Sequence, residues 1–269
     1  MPQAHTLAAW DPAPAVLAGA ALALLLFAQA FARLRRRGRS DHAPWTRPAL
    51  FSLGLAVLVL ALVSPLDGLG EADLLSAHML QHMLIGDAAP ALFLVSLRGP
   101  LVVFLVPRPV LGFVAPLGPL RRALSLLLRP GVSFAVWATV FAVWHVPPLY
   151  DFVLTRPAVH DFEHASFVVA GLLAWNQLVD PARRGALGIQ GRIAFAVALF
   201  AAGLVLSDIL VFSFDPLYGA YTTPNDLLGV SPLTDQRLAG LVMMLEQTVT
   251  LGTCVALLVR FHQRRAALA

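Results

Sequence analysis

Two pairs of histidines have the spacing that suits a metal ion. His78 and His82 are four residues apart, and so are His160 and His164. Residues at positions i and i+4 lie on one face of a helix, and two histidines placed in this way can hold a single ion. His145 is a fifth histidine in an apolar segment. Because neutral imidazole binds copper, zinc, iron and nickel, the sequence predicts a metal site built from these five side chains.

Methionine side chains accompany the first histidine pair and recur near the end of the chain. Met79 and Met83 each follow one histidine of that pair, and Met243 and Met244 lie in the last apolar segment. Methionine sulfur favours Cu(I), so these four residues are secondary ligand candidates. Methionine in such helices serves mostly as packing material, which is the alternative interpretation.

Five carboxylates extend the list of secondary candidates. Asp161 and Glu163 lie beside the second histidine pair, where they could accept the other N–H group of an imidazole. Asp87, Asp208 and Glu246 lie deeper in apolar segments. An ionisable group in hydrocarbon costs about 2.5–3.5 kcal/mol on insertion scales, so the positions of these three carboxylates require an explanation. Two interpretations stay open: a polar clamp between helices, and a path for protons or cations.

The composition restricts the classes to which this chain can belong. Of its 269 residues, 58% are hydrophobic and 13% are charged, whereas soluble domains have about 25% charged residues. All 19 basic residues are arginine, which excludes a Walker A loop, a retinal or pyridoxal Schiff base and a lysine general base. Cys254 is the single cysteine, which excludes an intramolecular disulfide, a CxxC redox pair and a cysteine zinc cluster.

The histidines and carboxylates must be positioned by helices that cross a membrane. A spanning helix needs roughly 17–25 mostly apolar residues. The sequence contains seven such segments, which predict an all-α integral membrane protein: a seven-transmembrane-helix bundle that forms one domain over residues 1–269. The segments are approximately 13–34, 48–64, 74–97, 131–147, 158–179, 192–214 and 237–259. A shorter segment at 119–128 is predicted to lie along the inner membrane surface.

The arginines predict the orientation of this bundle. Basic residues accumulate in cytoplasmic loops. With the N-terminus outside and the C-terminus in the cytoplasm, 17 of the 19 arginines fall inside, and only Arg156 and Arg237 fall outside. The net charge of +4 is therefore a topology signal, and nucleic-acid binding is not expected. The same topology places His78, His145 and His160, with their neighbours, in one layer at the outer ends of three helices.

Several longer motifs contain these residues and are specific when taken together. They read His78-Met79-Leu80-Gln81-His82 with Ala89-Pro90, Trp144-His145-Val146-Pro147-Pro148-Leu149-Tyr150, His160-Asp161-Phe162-Glu163-His164, Ala170-Gly171-Leu172-Leu173-Ala174-Trp175, Pro216-Leu217-Tyr218-Gly219-Ala220-Tyr221 and Asp235-Gln236-Arg237-Leu238-Ala239-Gly240-Leu241-Val242-Met243. On these motifs the chain, from about Leu74 to Val259, resembles the multi-spanning CtaG family of cytochrome c oxidase assembly factors, associated with caa-type oxidases. Asp235 and Gln236 of the last motif join the secondary ligand candidates.

The resemblance implies a bacterial plasma-membrane protein needed to make active cytochrome c oxidase, with a role in copper supply. Together with the histidine layer it predicts a factor that is not an enzyme, binds copper at the outer face and passes it to an oxidase subunit or another assembly factor. One alternative is a haem-binding cytochrome or haem-handling protein, because opposed histidines on two helices can ligate haem iron. Another is a metal or proton transporter that uses Asp87, Asp208 and Glu246.

Overall fold

A computed structural model of the chain describes residues 10–223 and 229–267, and His5 lies outside these ranges. In chain order, the α-helices of the described residues are α1 (Pro14–Arg36), α2 (Thr46–Val63), α3 (Pro65–Ala72), α4 (Leu75–Met83), α5 (Ala89–Ser96), α6 (Pro100–Leu105), α7 (Arg108–Val114), α8 (Gly118–Leu127), α9 (Pro130–Trp144), α10 (Pro147–Leu154), α11 (Pro157–Val179), α12 (Ile189–Phe212) and α13 (Pro232–Ala266). A π-helical turn, Leu84–Ala88, joins α4 to α5. Short 3-10 turns occur at Ser40–His42 and Gly219–Tyr221.

Proline residues mark where many of these helices begin. Pro14, Pro65, Pro130 and Pro157 each lie in the first turn of their helix. Proline suits this position because its φ angle is already helical and its missing N–H group would have no partner there. The predicted apolar segments therefore start close to the observed helices. Two predicted outer loops, at 65–73 and 148–157, contain the short helices α3 and α10.

Five helices of the described residues are long and apolar enough to cross a membrane. They are Pro14–Arg36, Ser40–Val63, Leu75–Ser96, Ile189–Phe212 and Pro232–Arg264, and α8 with α9 makes a sixth if this pair, bent by 76°, counts as one span. The part of the chain that the structure describes is thus all-helical with five to six candidate spans, and the predicted number of seven is not confirmed. α11 has 23 residues but is not among the five, and its first turns carry the polar side chains His160, Asp161, Glu163 and His164.

The centre of the bundle is the broken helix formed by α4, the π turn and α5. α13 packs against α4, α2 packs against α5, and α11 packs against both the π turn and α5. α12 packs along α13, and α9 packs along α11. Each element that surrounds the broken helix can therefore place side chains against α4 or α5.

The break at the π turn has a local cause. Pro90 lies in the first turn of α5, where its ring lacks an N–H group and would collide with the carbonyl four residues earlier in a regular helix. That carbonyl belongs to Gly86 and lies against Gly171 of α11. A Cβ atom added at Gly171 would collide with it. The π turn and a glycine together let α11 approach the broken helix closely.

The two ends of the bundle carry different side chains. α4 and α11 begin with the histidine pairs, and we call this the histidine end. α5, α11 and α13 end near Arg98, Asp180 and Arg260, and we call this the arginine end. About twenty residues separate His78 from Arg98, which corresponds to roughly 30 Å at the helical rise per residue. This length is that of the hydrocarbon core of a membrane.

Candidate metal centre

The start of α4 is held by a carboxylate from another helix. Asp235, in the first turn of α13, accepts hydrogen bonds from the backbone N–H groups of Leu75 (2.7 Å) and Ser76 (3.2 Å) and from the Ser76 hydroxyl (2.5 Å). The first N–H groups of a helix have no partner within the helix, so this contact caps α4. Asp235 was a secondary ligand candidate, and the structure places it at this cap instead of among the converging histidines.

Four of the five predicted histidines converge. The ligand atoms of His78, His82, His160 and His164 lie within 4.8 Å of one another, and all four side chains are buried. The Nε2 atoms of His78 and His82 are 2.9 Å apart. The i, i+4 spacing puts each pair on one face of its helix, and the packing of α11 against the broken helix brings the two faces together. We call these four residues the histidine group.

Tyr221 sets the orientation of His78. The Tyr221 hydroxyl donates a hydrogen bond to the carbonyl of Gly70, and its oxygen lies 3.1 Å from His78 Nδ1. The phenolic oxygen therefore accepts from an N–H at Nδ1, which leaves the lone pair of Nε2 directed into the histidine group. Burial raises the pKa of the Tyr221 phenol above its usual range, so the hydroxyl keeps the proton that it donates.

Several polar atoms of this centre are buried without a hydrogen-bond partner in the described residues. They are His82 Nδ1, His160 Nε2, His164 Nε2 and Glu163 Oε1. Glu163 Oε1 lies 3.7 Å from His82 Nε2, and Glu163 Oε2 lies 4.0 Å from His160 Nε2. More than nine in ten buried polar groups in proteins are hydrogen-bonded, so a cluster of unsatisfied nitrogens and a carboxylate is unusual. Such a donor set fits a metal cation.

One carboxylate connects the histidine group to the surface. Glu71, at the end of α3, has an Oε1 atom 2.7 Å from His160 Nδ1, and its side chain is 47% exposed.

On the same helix, burial raises the pKa of Asp67 to about 6, although the hydrogen bond from Gln81 acts in the opposite direction. α3 therefore faces the centre with two acidic side chains. Neither was among the candidates taken from the sequence, because nothing in the local pattern links α3 to α11.

His145 lies next to the histidine group but is not a member of it. Its ring centre is 6.1 Å from that of His82, its Nδ1 is 2.6 Å from the carbonyl of Phe141, and its Nε2 is 3.2 Å from the sulfur of Met79. With the proton on Nδ1, the free lone pair of Nε2 faces the thioether. Imidazole nitrogen and thioether sulfur are both ligands for Cu(I).

The remaining secondary candidates are spread over the bundle. Met83 and Met243 are buried in the apolar core that also contains Met79, and Met244 is half-buried. Asp161 is exposed. Gln236 accepts a hydrogen bond from the backbone N–H of Leu217 (2.7 Å), so it supports the chain before α13. None of these side chains belongs to the histidine group.

Two of the three deep carboxylates meet. Asp87, in the π turn, accepts hydrogen bonds from the indole N–H of Trp175 and from the Thr250 hydroxyl (2.8 Å), and Glu246 lies beside it. No hydrogen bond or ion pair among the described residues joins Asp208 to this pair. A cavity of about 20 Å³, room for roughly one water molecule, is lined by both His82 and Asp87. Asp87 therefore joins the π turn to α11 and α13 next to the histidine group, whereas both Glu246 oxygens are buried without a hydrogen-bond partner in the described residues.

Comparison with known proteins gives the centre a family context. The family described as cytochrome c oxidase caa3 assembly factor (Caa3_CtaG) matches residues 25–264. An uncharacterized protein of Mycobacterium bovis and one of Mycobacterium tuberculosis are each 29% identical over 251 residues, which is 88% of this chain. The aligned region covers 37% of the length of those two relatives. No solved structure matches the chain. The resemblance carried by the histidine motifs is confirmed: the chain belongs to the cytochrome c oxidase caa3 assembly factor family.

Proposed function

We propose that this protein is an assembly factor that holds copper in the histidine group and delivers it to cytochrome c oxidase. The observation that carries the proposal is the convergence of four buried imidazoles, with ligand atoms within 4.8 Å of one another. Family membership supplies the process, oxidase assembly, in which such a metal would be used. The protein then acts by binding and transfer and not as an enzyme.

The side chains next to the histidine group favour copper over the other metals that imidazole binds. The thioether of Met79 lies 3.2 Å from His145 Nε2, beside the histidine group, and a soft sulfur ligand selects Cu(I). The exposed carboxylate of Glu71 touches His160 and offers a first contact for an ion that enters or leaves. A site of imidazoles with one accessible side holds a metal and still allows exchange with an oxidase subunit or another assembly factor.

The proposed topology has seven spans, with α9 and α11 added to the five candidate spans described above. The N-terminus and the histidine end face outward, and the C-terminus lies in the cytoplasm. The distribution of arginines supports this orientation, since 17 of 19 then fall on the inner side. In a bacterial plasma membrane this arrangement presents the metal to the outer side, and the whole chain forms one membrane domain.

The alternatives receive less support. A haem macrocycle needs a wide slot between its axial ligands, whereas the histidine nitrogens are packed together and the adjoining cavity is only about 20 Å³. A transport path through Asp87, Asp208 and Glu246 is weakened because Asp208 does not join the other two. The hydrogen bonds of Asp87 to Trp175 and Thr250 favour instead a clamp between the π turn, α11 and α13.

Metal analysis of purified protein tests the proposal. After mild copper loading in detergent and removal of free metal, we expect roughly one copper ion per chain, because four nitrogens within 4.8 Å hold a single ion. The double variant His78→Ala/His164→Ala should lose this copper. His262→Ala, at an exposed histidine of the arginine end, is the matched control and should keep it. Copper at background level in the parent protein, or equal copper in the double variant, would overturn the proposal.

A further inference from the structure

A second site lies at the arginine end of the bundle, far from the histidine group. A pocket of about 1370 Å³ opens there between α5, α11, α12 and α13. Its lining includes Trp175 and Thr250 at the deep side, the two residues that hold Asp87, and arginines towards the end of the bundle. This volume is far larger than packing defects in protein interiors, which seldom exceed the size of a water molecule.

The charge of the pocket is strongly unbalanced. One aspartate, Asp180, lines it together with five arginines, which are Arg98, Arg183, Arg192, Arg260 and Arg264. Asp180 is already engaged, because it pairs with Arg192 at 2.8 Å and accepts from the backbone N–H groups of Arg184 and Gly185 at 2.9 Å. The other four arginines form no salt bridge with any carboxylate in the described ranges. Within the described residues, four guanidinium groups therefore line one opening without an anionic partner.

A neighbouring arginine adds to this positive field. Arg47 lies close enough to Arg98 and Arg183 for the three charges to repel one another. Its guanidinium donates to the carbonyls of Val95 (2.6 Å) and Ser96 (3.2 Å) at the end of α5, so it is held in place beside the pocket. Like charges gathered at short distance in a region of reduced dielectric are stabilised by a bound anion.

Apolar side chains make up much of the remaining lining of the pocket. α5 contributes Ala91, Leu92 and Val95, α11 contributes Leu178, and α13 contributes Leu257. A small soluble anion would leave these walls without a partner. A molecule that combines acidic groups with hydrocarbon chains would contact the arginines and the apolar walls at once.

We propose that this pocket binds an anionic phospholipid that carries two phosphate groups. A guanidinium pairs with a phosphate through two parallel hydrogen bonds, so four free arginines match two phosphates better than one. Basic pockets between membrane helices on the cytoplasmic side are sites of this kind. The acyl chains lie along the walls formed by α5, α11 and α13, and the lipid fills the gap between these helices.

Lipid titration followed by native mass spectrometry tests the proposal. The detergent-purified full-length protein is titrated separately with diphosphatidylglycerol, phosphatidylglycerol and phosphatidylcholine. We expect diphosphatidylglycerol to bind at least about tenfold more tightly than phosphatidylglycerol, and phosphatidylcholine to bind most weakly. Equal binding of the first two lipids would overturn the requirement for two phosphates.

Charge variants connect this binding to the pocket. Arg183→Gln/Arg260→Gln should weaken binding of diphosphatidylglycerol about tenfold to thirtyfold. The control Arg121→Gln/Arg122→Gln removes two exposed arginines of α8 outside the pocket and should leave it unchanged. An equal loss in both variants would contradict the proposal. Thermal unfolding is also measured with diphosphatidylglycerol and with inorganic pyrophosphate, and equal stabilisation by the two would contradict the need for acyl chains. Copper content is measured in parallel and should stay the same, because the histidine group lies at the other end.

Discussion

At the scale of single residues, the histidine group depends on side chains that no local pattern identifies. The i, i+4 spacing of His78 and His82 correctly indicates that both lie on one face of α4. The contribution of Tyr221 arises because a short turn between α12 and α13 folds back over the start of α4. Glu71 reaches His160 in the same way from α3. Such contacts between segments distant in sequence could not be predicted from spacing.

The first prediction concerns Tyr221. Tyr221→Phe keeps the ring but removes the hydroxyl that accepts from His78 Nδ1, so His78 loses the partner that fixes its tautomer. We expect copper affinity to fall about tenfold, which is the lower end of the range of about tenfold to a hundredfold seen when a metal-binding histidine loses its hydrogen-bond partner. Trp144→Phe removes a 2.8 Å hydrogen bond from the indole N–H to the Ser166 hydroxyl but no partner of a histidine ring, so it is the control. Competition with a copper-binding dye measures both, and equal affinities for Tyr221→Phe and the parent protein would refute the role.

A second prediction concerns pH and Asp67. Burial raises its pKa to about 6 from the ordinary value of 3.8, so the folded protein binds this proton more tightly than the unfolded chain. The resulting stabilisation is complete below about pH 4 and is lost as the pH rises through about 6. In Asp67→Asn this dependence should disappear, whereas Asp161→Asn, at an exposed carboxylate, should retain it. Thermal unfolding in detergent between about pH 4 and 7 measures the slopes, and parallel slopes for Asp67→Asn and the parent protein would be the contrary result.

At the scale of elements, the broken helix and α11 form the frame of the metal centre. The apolar segments predicted for α4 with α5 and for α11 agree with the observed bounds within about two residues, a usual uncertainty for helix ends. The π turn at Leu84–Ala88 was not predicted, because its cause lies in the combination of Pro90 with the close approach of α11. The short helices α3 and α10 were predicted as loops, since eight residues of mixed polarity lack a clear helical period.

The third prediction tests this close approach. In Gly171→Ala the added Cβ would collide with the carbonyl of Gly86 and the ring of Pro90, so α11 must move away from the π turn. We expect a loss of about 1–3 kcal/mol in stability, typical of overpacking, together with weaker copper binding, because α11 carries half of the histidine group. Gly252→Ala, in α13 with open space around it, should be neutral or slightly stabilising, because alanine favours a helix more than glycine does. Thermal unfolding and copper titration of both variants decide, and an unchanged Gly171→Ala protein would contradict the proposed role of this glycine.

At the scale of the whole molecule, the bundle separates an end rich in histidine from an end rich in arginine. Composition and arginine distribution predict the all-helical membrane class and the location of the five histidines at one end. They could not establish the number of spans, since α9 has 15 residues and α11 carries charged side chains in its first turns. The convergence of two histidine pairs is also a property of the whole bundle, because it depends on α11 packing against the π turn and α5 while α13 packs against α4.

The fourth prediction concerns orientation. Single cysteines are introduced at Thr155, in the turn before α11, and at Ser125 of α8, both exposed, in a protein whose Cys254 has been replaced by serine. A membrane-impermeant maleimide applied to intact cells should label position 155 readily. Position 125 should be labelled only after the membrane is permeabilised. The reverse pattern would place the histidine end in the cytoplasm.

Copper K-edge X-ray absorption of the copper-loaded protein tests the central claim most directly, because it reports the atoms bound to the metal. Four imidazoles lie within reach of one ion, so we predict a first shell dominated by nitrogen, with the multiple-scattering features of histidine rings. In His78→Ala/His164→Ala this signature should disappear, whereas His262→Ala should retain it. A shell made mainly of sulfur or of water oxygen in the parent protein, or a spectrum that is the same in the double variant, would contradict the claim that the histidine group is the copper site.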